Sequence, residues 1–192
     1  MSPRSAAKNL EIRQETIQKI MDAAFMLIAK QGYETTSIAQ IAKAAGTSKG
    51  LLYNYFTGKQ DLLEKLIHHV IGQYDQVMEQ AIAADAASKL ENIFRHFFKE
   101  LRERPDYWRL LTELMLKIDQ FRFVRDFVVE KMDAYILLLQ QLLEQLGFEN
   151  PGEEAKLIAA LFDGISVQAV VIREAYPLDE LERILIQKYC KR

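Results

Sequence analysis

Apolar residues recur every three to four positions along almost all of this 192-residue chain, and that period limits its fold more than any other feature. Only 8 glycines and 4 prolines interrupt it, and no long apolar–polar alternation marks a strand. The expectation is an all-α protein of about nine helices joined by short connections. Ile17, Ile20, Ala24 and Leu27/Ile28 make one stripe of a first helix over roughly 10–31, ended near Gly32. Short helices follow at about 38–45 and 49–55, the first opened by a Ser37-x-x-Gln40 capping box, with Gly46 turning the chain between them. A long helix starts after Gly58 with Asp61 in its first turn and Leu62, Leu63, Leu66, Ile67 and Val70 facing inward. Further helices are expected from Asp85 to before Pro105, from Pro105 to Lys117, over 121–146, from Asn150-Pro151 to about Ala175, and from Pro177 to Tyr189.

Composition agrees with a folded protein: 49% of residues are apolar, 27% charged and 10% aromatic, enough for a real core and too apolar for intrinsic disorder. The single cysteine, Cys190, forms no internal disulfide, which suits a reducing compartment. No apolar run approaches the ~18 residues of a membrane span, and Met1-Ser2-Pro3-Arg4 lacks the apolar core of a signal peptide. A cytoplasmic protein without membrane association is therefore expected. Net charge is −2, but residues 1–60 carry +4 and the remainder −6. A basic head on an acidic body lets one end approach a polyanion.

That basic head contains the segment 35–59, TTSIAQIAKAAGTSKGLLYNYFTGK. Two short helices joined by a tight glycine-containing turn are the helix-turn-helix of DNA readers. Ala42, Ala44, Ala45 and Gly46 supply the small residues where the helices cross, while Ile38, Ile41, Leu52 and Phe56 are spaced to face a core shared with the first helix. Thr47, Ser48 and Lys49 offer hydroxyls and a cation to phosphate at the start of the second short helix. Gly50, without a Cβ, lets backbone approach a duplex. Leu51, Tyr53, Asn54 and Tyr55 continue along that helix, with hydroxyl and amide groups for phosphates or base edges. Lys59 adds a second phosphate contact, and Thr36 or Ser37 another from the first short helix.

At these residues the segment resembles the TetR family of bacterial repressors. The family pattern appears as Thr36-Ser37-Ile38, Ile41-Ala42, Ala45-Gly46-Thr47-Ser48-Lys49-Gly50, Leu52-Tyr53-Asn54-Tyr55-Phe56 and Lys59, with tyrosine at 55 where many members have histidine. The resemblance covers about residues 10–70. It implies an Ω-like helical dimer in which residues 1–57 bind DNA and residues 58–192 bind a small molecule and dimerise. It also implies repression relieved by an inducer at a palindromic, double-stranded operator, and no cofactor.

In the body, Phe94, Phe97, Phe98, Trp108, Leu111, Met115, Phe127, Met132, Tyr135 and Phe162 are either an ordinary core or the lining of an effector cavity. Tyr74, Tyr135, Ser166 and Gln168 would be the polar groups of such a cavity, for an apolar or amphipathic organic effector. Ala159, Ala160, Gly164, Ser166 and Ala169 allow close helix approach, and with Leu178, Leu181, Ile184, Leu185 and Tyr189 could pack either within one subunit or across a two-fold axis. The resemblance places the homodimer contact on these last two helices, with Cys190 at its edge. Catalysis has little support: His68 and His69 are adjacent and point apart, His96 has no metal-ligand partner at helical spacing, and no phosphate-binding glycine loop or nucleophile elbow occurs. The competing reading is a helical carrier or metabolic enzyme with a vestigial head, which tight ligand binding or turnover without DNA affinity would favour.

Overall fold

The computed structural model describes residues 6–80, 85–116 and 122–191, with side chains described for 8–69, 85–116 and 124–191. Among the described residues there are nine α-helices, one turn of 3-10 helix and no strand. They form two compact units that divide between Ile71 and Gly72.

The first unit holds α1 (Ala6–Gln31), α2 (Ile38–Ala44), α3 (Lys49–Tyr53) and the start of α4 (Lys59–Gln80). The apolar stripes meet as their spacing predicts: Ile20, Ala24 and Ile28 of α1 are buried with Ile38 and Ile41 of α2, Leu52 and Phe56, and Leu62, Leu63, Leu66 and Ile67 of α4. Val70 lies outside the described side chains. α1 extends further toward the N-terminus than its stripe predicts, because Ala6, Ala7 and Lys8 favour helix without needing to be buried. Gly32 and Gly46 take left-handed φ angles of 86° and 64°, which close the two connections around α2.

The second unit contains α5 (Ala86–Glu103), α6 (Pro105–Leu116), α7 (Arg122–Gln145), α8 (Pro151–Ile172), the single 3-10 turn Arg173–Ala175 and α9 (Leu178–Tyr189). Asp85 caps α5 by accepting the Ser88 amide at 3.0 Å. Pro151 opens α8, although the expected cap Asn150 makes no side-chain bond there. The core joins Leu90, Phe94, Phe97, Phe98 and Leu101 of α5 to Leu139, Leu142 and Leu143 of α7, Ile158 and Ile165 of α8, and Leu185, Ile186 and Tyr189 of α9. Each such side chain contributes about 1.5–3 kcal/mol by leaving water. On the rim, Arg102 of α5 pairs with Asp179 at 2.9 Å and Glu182 at 2.5 Å on α9. Burial, then the Glu91 carboxylate, pushes the Cys190 thiol up to about 11, so it stays protonated at neutral pH and makes a poor nucleophile for cross-linking.

The expectation that no apolar run approaches the length of a membrane span is corrected: by length and composition alone Pro151–Ala175 reaches it, although Lys156 and Asp163 lie within the stretch. Its apolar residues fall on two faces. Ala155, Ile158 and Ile165 are buried, whereas Leu157, Val167, Val171 and Ile172 are exposed, Val171 at 73%. Gly164 lies between Leu157 and Val171 at helical spacing, and a Cβ there would meet nothing within 4 Å.

Candidate functional site

The connections of the first unit are built from side-chain caps. The Ser37 hydroxyl accepts the Gln40 amide at 3.2 Å while the Gln40 side chain accepts the Ser37 amide at 2.8 Å, the reciprocal box its sequence predicts. Ser48 caps α3 in the same manner, accepting the Leu51 amide at 3.1 Å. Both hydroxyls keep their own proton for an outside acceptor. α3 stops at Tyr53 with Asn54 as its C-cap, shorter than the predicted 49–55, so Tyr55 stands beyond the helix.

The exposed side of this second short helix gathers most of the predicted contacts. Ser48, Lys49, Gly50, Leu51, Tyr53 and Asn54 are exposed, and Thr47 and Tyr55 half-buried. The Lys49 ammonium lies 5.9 Å from the centre of the Tyr53 ring, one helical turn away. Gly50 has an ordinary φ, and a Cβ added to it would meet only the Ser48 hydroxyl, at 4.0 Å. The fold of the chain itself therefore makes no demand for glycine at 50. Gly58 shares that property, since nothing lies within 4 Å of its absent Cβ.

Two predicted phosphate contacts are placed otherwise. Thr36 is only 1% exposed and its hydroxyl donates to the Gly32 carbonyl at 2.8 Å, so it closes the α1–α2 loop. The Lys59 ammonium turns back into the unit, donating to the Tyr33 carbonyl at 2.9 Å and lying 4.1 Å from the Tyr33 ring centre. Sequence reasoning also missed two basic residues beside the motif. Arg13 of α1 stacks its guanidinium 5.7 Å from the Tyr55 ring centre, and Lys65 of α4 donates to the Tyr55 carbonyl at 3.3 Å. Basic residues one helix away from the motif were the available signal. Beneath them, burial opposes ionisation of Asp61, but the Thr57 amide and the Lys65 ammonium outweigh it and hold the carboxyl below its ordinary range.

The predicted effector residues within the described side chains are placed as follows. Phe94 and Phe98 are fully buried core, and Phe162 stacks on Phe97 with ring centres 4.0 Å apart. The Ser166 hydroxyl donates to the Phe162 carbonyl of its own helix at 2.7 Å, Leu111, Phe127 and Tyr135 are half-buried, and Met115 is exposed. Tyr74 lies outside the described side chains. Phe94 meets Phe162 edge to face with ring centres 5.7 Å apart, and Trp108 meets Phe97 in the same way at 5.4 Å. Trp108 lines a cleft of about 870 Å³ together with the apolar Leu101, Val170 and Leu178 and the charged Arg102, Arg109 and Arg173. Arg173 has φ 60°, a backbone conformation that residues other than glycine rarely take, and it ends α8 at the edge of that cleft.

A short capped helix presenting hydroxyls, a lysine and a glycine on its open side, behind a second short helix and a left-handed glycine, defines a helix-turn-helix DNA-binding head. The family described as bacterial regulatory proteins, tetR family, matches residues 20–66. The HTH-type transcriptional regulator AcrR of Shigella flexneri is 34% identical over 174 residues, covering 89% of this chain and 79% of that protein. The fatty acid metabolism regulator protein of Bacillus subtilis is 31% identical over 130 residues, 66% of each chain. The solved structure of the fatty acid degradation regulator FadR from Bacillus halodurans superposes with a TM-score of 0.72 at 26% identity, covering 91% of this chain and 97% of that one. The chain belongs to the TetR family and is a helix-turn-helix transcriptional regulator, not an enzyme.

Proposed function

We propose that this regulator is a cytoplasmic repressor that binds an inverted-repeat operator as a homodimer and is released by an apolar or amphipathic organic effector. Residues 1–57 read DNA; residues 58–192 bind the effector and dimerise. The observation that carries the reading is Gly50. A glycine inside a helix lowers stability by up to about 1 kcal/mol relative to alanine, and neither φ nor packing within the chain requires it. Close approach of a duplex backbone to α3 supplies the reason, with Thr47, Ser48, Lys49 and Tyr55 around it for phosphates and Tyr53 and Asn54 for base edges. Leu51 offers an apolar contact, and Ser37 a further hydroxyl.

Dimerisation through α8 and α9 is supported by the exposed apolar face of Leu157, Val167 and Val171 with Gly164 in its midst, and by Ile184 exposed on α9. The cleft beside Trp108, lined by both apolar and charged residues, supports an amphipathic effector. A relative named for fatty acid metabolism fits the same chemistry. Release follows if the effector prefers the conformation that fits the operator less well; a hundredfold preference corresponds to about 2.7 kcal/mol.

The test is titration of a mixed-sequence duplex across a salt series. The wild type binds with a steep salt dependence, and Lys49→Ala weakens binding to every sequence and lowers the slope of log affinity on log salt by about 1. Asn54→Ala and Tyr53→Phe instead change preference among sequences. Equal loss on all duplexes for all three variants removes base reading by α3. A wild type that binds no duplex even at low salt contradicts the whole proposal and favours the carrier reading.

A further inference from the structure

The buried stripe of α1 runs on past the core it serves. Leu10, Arg13, Ile17, Ile20 and Ala24 follow one another by threes and fours, which places them on one face of the helix. Ile20 and Ala24 are 0% exposed and Ile17 is half-buried, but Arg13 is exposed and Leu10 is 56% exposed. The first turns of α1 therefore overhang the unit with their inward face uncovered. Tyr55, in the link after α3, meets this overhang: the Arg13 guanidinium lies 5.7 Å from its ring centre. The Tyr55 backbone is itself held, its carbonyl accepting from the Lys65 ammonium at 3.3 Å. Charge is sorted around α1 at this point. Glu11 and Glu15 stand two residues to either side of Arg13, which puts both on the opposite side of the helix. Among the described residues Arg13 makes no ion pair. A guanidinium over a ring uses its face and leaves the N–H donors in its plane for an acceptor.

We infer that Arg13 is a further DNA-contacting residue: it takes one phosphate from the overhang of α1, with the Tyr55 ring fixing where its guanidinium reaches. A phosphate suits this place because the group is exposed, carries unused in-plane donors and has no carboxylate on its own side of α1 to compete. The contact is the same for every base sequence, so it adds affinity and orientation without adding preference. The inference rests on the DNA-binding reading above and adds a contact outside the helix-turn-helix, from a helix whose other residues on this face serve the core.

The experiment uses the full chain and its variants Arg13→Gln, Arg13→Lys and Lys19→Gln, the last on another face of α1. Affinity for a 30-base-pair mixed-sequence duplex, whose length is on the order of a two-half-site operator, is measured across a salt series. Thermal unfolding is followed on the same preparations. Arg13→Gln is expected to lower the slope of log affinity on log salt by about 1 and to weaken binding roughly tenfold at ~0.1 M salt, with unfolding unchanged. Arg13→Lys keeps the wild-type slope, and so does Lys19→Gln. The wild-type slope in Arg13→Gln, whether or not affinity or stability falls, reduces Arg13 to a prop for Tyr55 and overturns the inference. An equal fall in slope for Lys19→Gln makes the effect one of general charge and overturns it as well. A wild type that binds no duplex fails the DNA-binding reading and takes this inference with it. A slope lowered by Lys49→Ala but not by Arg13→Gln overturns this inference alone.

Discussion

Replacing Gly50 with alanine is expected to make the protein slightly more stable and its DNA binding much weaker. The added methyl group meets only the Ser48 hydroxyl at 4.0 Å, an ordinary van der Waals distance, and φ at this position suits any residue. Alanine removes unfolded-state freedom and favours helix, a gain of up to about 1 kcal/mol, less if α3 frays. At a surface built to lie against a duplex, the same methyl group forces the backbones apart. Overpacking of a close contact costs about 1–3 kcal/mol, which is roughly 5- to 150-fold in affinity. Gly50→Val raises the loss further while keeping the fold. Thermal unfolding and duplex titration on the same preparation check both signs. A parallel fall in stability and binding would mean that Gly50 serves the fold after all.

The second large effect is expected from Val167→Glu. In a single chain this position is 41% exposed, so a carboxylate there is solvated and changes stability by no more than about 0.5 kcal/mol. In a two-fold interface made by α8 and α9 the substitution occurs twice, and each buried charge without a partner costs about 3–5 kcal/mol. Dissociation of the dimer should strengthen by at least a thousandfold, and sedimentation at micromolar concentration should record a monomer with unchanged helix content. Affinity for an inverted repeat then falls steeply, because two heads no longer bind as one ligand. A variant that stays dimeric would move the interface away from this face. Gly164→Leu probes the same contact by bulk, since in the chain alone the added side chain begins in open space.

What was legible in the sequence was local. The Ser37–Gln40 box, the left-handed Gly46 and the inward stripe of Ile38, Ile41, Leu52 and Phe56 depend on neighbours within a few residues, and each appears as its spacing predicts. What was not legible depended on distant partners. Which of Thr35, Thr36 and Ser37 faces outward is decided by how the loop folds onto the end of α1, and Thr36 turned inward to Gly32. Lys59 reads as a surface cation until Tyr33, twenty-six residues earlier, is brought beneath it. Phe94, Phe97 and Phe162 could not be sorted into core and cavity by type, since both environments select large apolar rings. α8 posed the related difficulty of two apolar faces, only one of which its own chain covers.

The central claim is that a pair of these heads reads DNA from the two sides of a dimer. Its most direct test is selection of bound duplexes from a random library in the presence of competitor DNA. The account predicts recovery of an inverted repeat whose half-sites are spaced by about one helical turn or a multiple of it. Recovery of no preferred sequence by folded, dimeric protein, both alone and with cell extract added to supply a co-ligand, would contradict it.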